Sequence, residues 1–515
     1  MARTHRSAIV WSFAFAVSAL LIFSFGTFID RATPALVDDH DIIAPLKSSP
    51  TAPFADVWAD LKSNDEYKEL ATRGQASRFR PAHYPIKALQ IYLFGDNIRL
   101  WYIATYALYI VTATVLFSLV LRTLGLVSAL VFAVFYFAHP AWSDIFPRLG
   151  PVEIDCILVG TLLIWLLWRS IVDASNFCTV VAFPVALLFG ATKEPNGVLL
   201  MSLGGLVLTC GAILRHRRMM LGGAIATVAG LIALATLFRL TYTADGGIVP
   251  LSAAVEAYLR HYAHDKTAWI VIALLAVLGC AAIEKTMGLM KISWAELSAL
   301  LLAVASIEAL RLSLYYLTYT VTYQGYGNAI TMRYGYPMFV AMPVIAAIVF
   351  GRLARHATPG ISIATKTFAI ACVLAMIIVN HGVLAKKTRD DLELWRGFNA
   401  EAEAAIVQTA DWLTKARTEG RSPILLVTGP ELEWEPKLSL MLFFRHRLPD
   451  TPVYFDPGEK SVNHDAYIPM SQQFGGQPLP ANTHLTPETC IEVHVDIERY
   501  TNSRCTTLSV VKRPQ

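Results

Sequence analysis

Asp38, Asp39, His40 and Asp41 follow one another, beginning ten positions beyond the end of the apolar run 8–28. A carboxylate in such a place can take the proton of an attacking hydroxyl, and three of them suit a magnesium or manganese ion. The same charge density also serves as a solvated collar at a membrane surface. Further along, SRFRPAHYPIKALQIYLFGDN supplies Arg78, Arg80, His83 and Lys87, and AHPAWSDIFPRLGPVEID supplies His139, Asp144, Arg148 and Glu153. ATKEPNG adds Lys193 and Glu194, and a tyrosine-rich stretch ends in Arg333 and Tyr334 just before Pro337. Acids that can accept a proton thus alternate with cations that can hold a phosphate, arginine through its planar fork and lysine as a point charge.

These residues are scarce charges between long apolar runs. The chain has 515 residues, 55% hydrophobic and only 16% charged, with a net charge of +4 and a mean hydropathy of +0.47. That composition excludes a disordered chain, a coiled coil and a basic nucleic-acid binder. Residues 385–515 hold 33 of the 82 charges, so the first 384 residues have a membrane composition and the tail a water-soluble one. Runs long enough for spanning helices fall near 8–28, 98–121, 124–139, 152–171, 177–192, 195–214, 219–239, 268–283, 293–314, 333–351 and 364–384. The first is too long for a signal-peptide core and reads as a retained anchor.

Orientation follows from the lysines and arginines of the short loops. With the N-terminus inside, twelve fall on the cytoplasmic side and six outside. An odd number of spans then puts the tail outside. Every cluster named above falls on that outer side, in the long first loop 31–97 or in later short loops. The apolar positions Ile86, Leu89, Ile91 and Leu93 predict a helix lying in the interface, whose basic residues either serve a site or meet lipid headgroups. Pro140, Pro147, Pro151 and Gly150 forbid a continuous helix through the second outer loop. Asp144 and Arg148 there could simply pair, and the tyrosines before Arg333 could form an interfacial belt. Glu308 and Arg311, three apart within a span, are expected to neutralise each other.

The tail reads as a small α/β domain: an amphipathic helix through Leu392, Trp395, Ile406 and Leu413, the strand-like PILLVTG, a helix near 431–446, TPVYF, and a terminal hairpin. Cys490 and Cys505 flank that hairpin and are the disulfide candidates, a bridge permitted outside the cytoplasm. The other five cysteines fall in or beside apolar runs and read as small buried residues.

In the order and sidedness of these motifs the chain resembles the GT-C superfamily of membrane glycosyltransferases, closest to the protein O-mannosyltransferase and lipid A aminoarabinose transferase type. The resemblance covers residues 1–384 and rests on Asp38–Asp41, Arg78–Pro81, His139–Asp144, Lys193-Glu194 and Arg333–Pro337. It implies an integral protein of a bacterial inner or plasma membrane, with about eleven transmembrane helices, a cytoplasmic N-terminus and an extracytoplasmic C-terminal domain. The implied activity moves a sugar from a polyprenyl-phosphate donor to a lipid, glycan or protein acceptor at the outer face. Asp39 is then the first choice for the acid that acts on the acceptor, Asp38 the second and Asp41 the third, with Asp144 or Glu153 as the second-loop acid. Arg80, Arg148, Lys193 and Arg333 would hold the donor phosphate. His40, His83, His139, Glu194 and Tyr334 would meet acceptor or sugar. A divalent ion on Asp38, Asp39 and Asp41 stays open. A glycolipid carrier gated by the outer charges, or a non-catalytic envelope assembly protein, would share much of this pattern.

Overall fold

The structure is a computed structural model of the whole chain. It describes residues 3–31, 33–36, 39–63, 80–137, 142–241, 266–317, 336–356, 362–429, 434–456, 471–472, 475–496, 501 and 504–511. Helix α1 (Arg3–Arg31) leads into short α2 (His40–Ile43) and into α3 (Phe54–Ser63) and α4 (His83–Phe94). Then come α5 (Ile98–Leu124), α6 (Leu126–Phe137), one-turn α7 (Trp142–Ile145), α8 (Glu153–Val172), α9 (Asn176–Gly190) and α10 (Glu194–Ile213). Helices α11 (Arg217–Thr241), α12 (Lys266–Thr286), α13 (Trp294–Leu317), α14 (Tyr336–His356) and α15 (Ser362–Thr418) complete the helical region. A helix occupies each of the eleven apolar segments. Among the described residues, five helices are long and apolar enough to cross a bilayer: His5–Arg31, Ile98–Leu124, Glu153–Val172, Glu194–Ile213 and Arg217–Arg239.

Lipid cannot drive apolar helices together, so close backbone packing must. The α10–α11 contact shows how. A Cβ on Gly204 would stand 2.5 Å from the Thr227 amide nitrogen, and one on Gly223 would overlap the Leu208 backbone. Ends are set locally: the Asn97 side chain caps α5 by accepting from the Leu100 amide at 3.1 Å, and Gly125, with φ +96°, stops it. Within α13, Arg311 donates to Glu308 at 3.0 Å, as their spacing predicts.

Helix α4 turns two of its apolar positions outward and one inward. Leu89 and Leu93 are exposed while Ile91 is buried, and the inward face carries His83, Tyr84, Lys87 and Ala88. In a membrane setting the outer face meets lipid, so the polar side turns inward.

Helix α15 runs 57 residues without a break, about 85 Å at 1.5 Å per residue. The expected boundary at 384/385 therefore falls inside a continuous helix. Beyond it, β1 (Ile424–Thr428), α16 (Trp434–Arg447), β2 (Val453–Phe455), β3 (Gly476–Pro478), β4 (Cys490–Asp496) and β5 (Thr506–Val511) build a five-stranded sheet. Its order is β3-β2-β1-β4-β5, and every pairing is parallel. The expected terminal hairpin is thus corrected: β4 and β5 run the same way, with Ile491 opposite Thr506. Cys490 and Cys505 stand one step before that pair and are joined in a disulfide. Leu425, Val427, Phe455, Ile491, Val493 and Val495 bury one face of the sheet in the core shared with the helices. On the other face Leu426 packs against the disulfide.

Candidate functional site

Helices α8 and α10 begin at the same end of the apolar bundle, and each opens on acids: Glu153 and Asp155 in α8, Glu194 in α10. An acid in the first turn of a helix meets its partial positive charge, which favours carboxylates where these two helices start. Pro195 fits at the start of α10 because its missing N–H would find no helical partner there. The Ala82 amide donates to the Ala191 carbonyl at 3.0 Å and brings the segment before α4 against the α9–α10 turn.

The side chains gathered there pair closely. Lys193 forms an ion pair with Glu153, and Arg80 donates from Nε to Glu194 Oε1 at 3.3 Å. Gln90 donates to Asp155 Oδ1 at 3.0 Å, while His83 Nδ1 lies 3.5 Å from Asp155 Oδ2. Lys87 donates to the Leu149 carbonyl at 3.3 Å and sits 5.3 Å over the Trp101 ring. Glu153 is fully enclosed, and Lys193 and Glu194 are each 2% exposed. Charges so buried persist only in company, because desolvation of a lone ion costs several kcal/mol or more. Burial lowers the His83 pKa below its ordinary 6.5. The contact with Asp155 opposes that shift, and Lys87 and Arg80 add to it. At neutral pH the ring is uncharged.

Asp39 joins two loops. Its Oδ2 accepts from the Ala35 amide at 2.8 Å, and its Oδ1 accepts from Leu149 at 2.6 Å and from Gly150 at 2.8 Å. The hydroxyls of Tyr102 and Tyr106 donate to the carbonyls of Pro147 and Phe146 at 2.8 and 3.2 Å. The backbone carrying Arg148 is held from several sides at once. The Arg148 guanidinium lies 4.5 Å over the ring of Trp395, a residue of α15. A cavity of about 360 Å³ opens between the first polar segment and the tail, with Pro34, Ile43, Asp96, Phe443 and His446 among its walls.

Of the residues singled out in the sequence, the structure pairs Glu153 with Lys193 and Arg80 with Glu194, sets His83 beside Asp155, and ties Asp39 to the loop that carries Arg148. Asp41 lies half-buried on α2. His40 and Asp144 are described by backbone alone, on α2 and α7. Asp38, His139, Arg333 and Tyr334 lie outside the described residues. Among the described residues no group of three His, Cys, Asp or Glu side chains is placed to hold a metal ion, and Asp39 spends both oxygens on amides. Sequence reading overlooked Asp155 and Gln90, named Lys87 without placing it among the donor-phosphate residues, and gave Trp395 no part in a site. Asp155 could have been found two positions beyond Glu153. Nothing in the sequence marks Trp395, which arrives from 247 positions beyond Arg148.

The tail has a polar group of its own. Thr428 bonds to Glu492 Oε1 at 2.5 Å and to His494 Nδ1 at 2.7 Å, and His494 Nε2 lies 3.3 Å from Asp496. These side chains share one face at the carboxyl ends of β1 and β4, where the strand order reverses.

No family model, no curated protein and no solved structure matches the chain.

Proposed function

We propose that the chain is an integral-membrane glycosyltransferase that moves a sugar from a polyprenyl-phosphate donor to a lipid, glycan or protein acceptor at the extracytoplasmic face. One observation carries the reading. Segments far apart in sequence bring Arg80, Arg148, Lys193 and the acids Asp39, Glu153 and Glu194 to one end of an apolar helical bundle, where all but the half-buried Arg80 are buried, Lys193 pairs with Glu153, Arg80 with Glu194, and Asp39 binds the loop that carries Arg148. Groups fixed in advance in a low dielectric are what transition-state stabilisation requires. In this reading all eleven apolar segments cross the membrane. The tail stands outside as an α/β domain, in keeping with its disulfide.

The step balances without a further reactant. The acceptor hydroxyl gives its proton to a carboxylate while its oxygen attacks the anomeric carbon. The bond from that carbon to the phosphate oxygen breaks, and polyprenyl phosphate leaves with the added negative charge. Arg80, Arg148 and Lys193 meet that charge, together with Arg333 as the resemblance implies. Asp39 is committed to three amides, so we assign it the building of the site. Asp38, Asp41 and Asp144 remain the candidates for the base. A carrier instead calls for ionisable groups and half-helices at the midplane, whereas the Glu308–Arg311 pair within α13 is internally matched at 3.0 Å.

The test is turnover of a polyprenyl-phosphate-linked sugar by the purified protein in nanodiscs, with Arg148→Ala and Asp144→Asn beside the wild type. The reading expects both variants to fold and to lose at least about tenfold in turnover, roughly 1.4 kcal/mol of barrier. Full turnover in both would remove the assigned roles.

A further inference from the structure

Four separated segments meet around the cavity of about 360 Å³ between the first polar segment and the tail. Its floor is apolar: Ile43 of α2, Ile98 of α5, Ile406 of α15 and Phe443 of α16 line it, and each is at most 6% exposed. Its rim is polar and exposed, with Ser48, Asp96 and Arg447. The walls are fixed to one another. The Asp96 amide donates to the Pro50 carbonyl at 3.0 Å, and a Cβ on Gly95, where φ is +53°, would overlap that same oxygen. Trp101 Nε1 donates to the Gly95 carbonyl at 2.9 Å. From the tail, His446 donates from Nδ1 to the Lys47 carbonyl at 2.6 Å, and Arg447 donates to Glu403 Oε1 at 2.6 Å. A cavity held open in this way costs its ligand little ordering. Its volume lies at the low end of small-molecule sites, which span about 300–1,000 Å³ and favour junctions between domains.

The chemistry of the rim selects the ligand. The charge of Arg447 is balanced by Glu403, and the Asp96 carboxylate lies 3.5 Å from His446 Nε2. An anion entering here would meet the Asp96 carboxylate, and a cation would meet the Arg447 guanidinium. A neutral ligand whose hydroxyls both donate and accept suits the carboxylate, the guanidinium and the Ser48 hydroxyl together. Its carbon–hydrogen face would cover the apolar floor. A saccharide ring has that form. We propose that this cavity is a saccharide subsite, in which Asp96 accepts from the sugar hydroxyls, Arg447 and Ser48 bond to its oxygens, and Phe443 packs against the ring. Resting on the transfer reading above, its occupant is the sugar end of a glycan acceptor, so the tail forms one wall of the acceptor site.

The experiment titrates a panel of methyl glycosides of hexoses and pentoses, with inorganic phosphate as the anionic probe, into the full-length protein in nanodiscs free of sugar-based detergent. At least one glycoside should bind with a Kd of about 1 mM or tighter. Asp96→Asn should weaken that binding about tenfold, as loss of a charged hydrogen-bond partner does, and Ile406→Trp, which fills the floor, should abolish it. Asp96 is exposed, so its variant keeps the test open should Ile406→Trp fail to fold. No glycoside bound at about 10 mM, or binding that folded Asp96→Asn leaves unchanged, overturns the subsite. Phosphate bound in place of any glycoside, and lost in Arg447→Gln, overturns it too. The transfer reading fails separately. A wild type that binds the glycoside yet releases no polyprenyl phosphate from a donor keeps the subsite and loses its acceptor role, whereas one that turns over donor and binds no glycoside loses the subsite alone.

Discussion

Asp39 accepts a hydrogen bond from the Leu149 amide at 2.6 Å, tying two polar segments 110 positions apart. Removing this carboxylate strands three amide donors, two of them buried, at about 1–3 kcal/mol for an unmet buried group. Asp39→Ala should therefore lower the melting temperature of the protein in detergent by several degrees, and Asp39→Asn should also lower it because one amide would face another N–H. Unchanged melting in both variants would show that Asp39 does not staple the loops.

The buried ion pair of Lys193 and Glu153 gives a second expectation. Lys193→Met leaves Glu153 enclosed beside an apolar chain and should cost about 3–5 kcal/mol. Adding Glu153→Leu should recover part of the loss, because neither residue then brings a charge into the interior. Thermal unfolding of the two single variants and the double variant measures the coupling directly. Additive losses would contradict the pairing.

His83 predicts a pH dependence. Its folded pKa lies below 6.5, so in the window from 6.5 down to the folded value the unfolded chain binds a proton that the folded chain does not. Stability is full above 6.5 and is lost as pH falls through that window. Melting curves between pH 8 and pH 5 should show this decline, and His83→Gln should flatten it. A decline of the same size in His83→Gln would assign it to another group.

The Cys490–Cys505 bridge closes a loop of 15 positions in sequence, for which the chain-entropy account gives about 3 kcal/mol. Replacing both cysteines by serine should make the tail more sensitive to protease while helices far from it keep their protection. Equal protease resistance with and without the bridge would contradict that contribution.

Much of this arrangement is legible in the sequence because it depends on period and composition. Apolar runs locate the helices, and the scarcity of charge elsewhere makes Glu153, Lys193, Glu194 and Arg148 conspicuous. Partners are not legible, since the sequence does not say that Lys193 reaches back 40 positions to Glu153. The direction of β5 was lost for a geometric reason. Cys490 and Cys505 would stand side by side in an antiparallel hairpin as they do at the starts of two parallel strands, so their spacing cannot distinguish the two.

The central claim is transfer chemistry at the face of the membrane that bears the polar network. It is tested most directly by reconstituting the wild-type protein in vesicles with a labelled polyprenyl-phosphate-linked sugar and a mixed pool of lipid, glycan and protein acceptors. The account predicts release of free polyprenyl phosphate together with label covalently attached to an acceptor. Movement of intact donor from one leaflet to the other, with no bond broken, would contradict it.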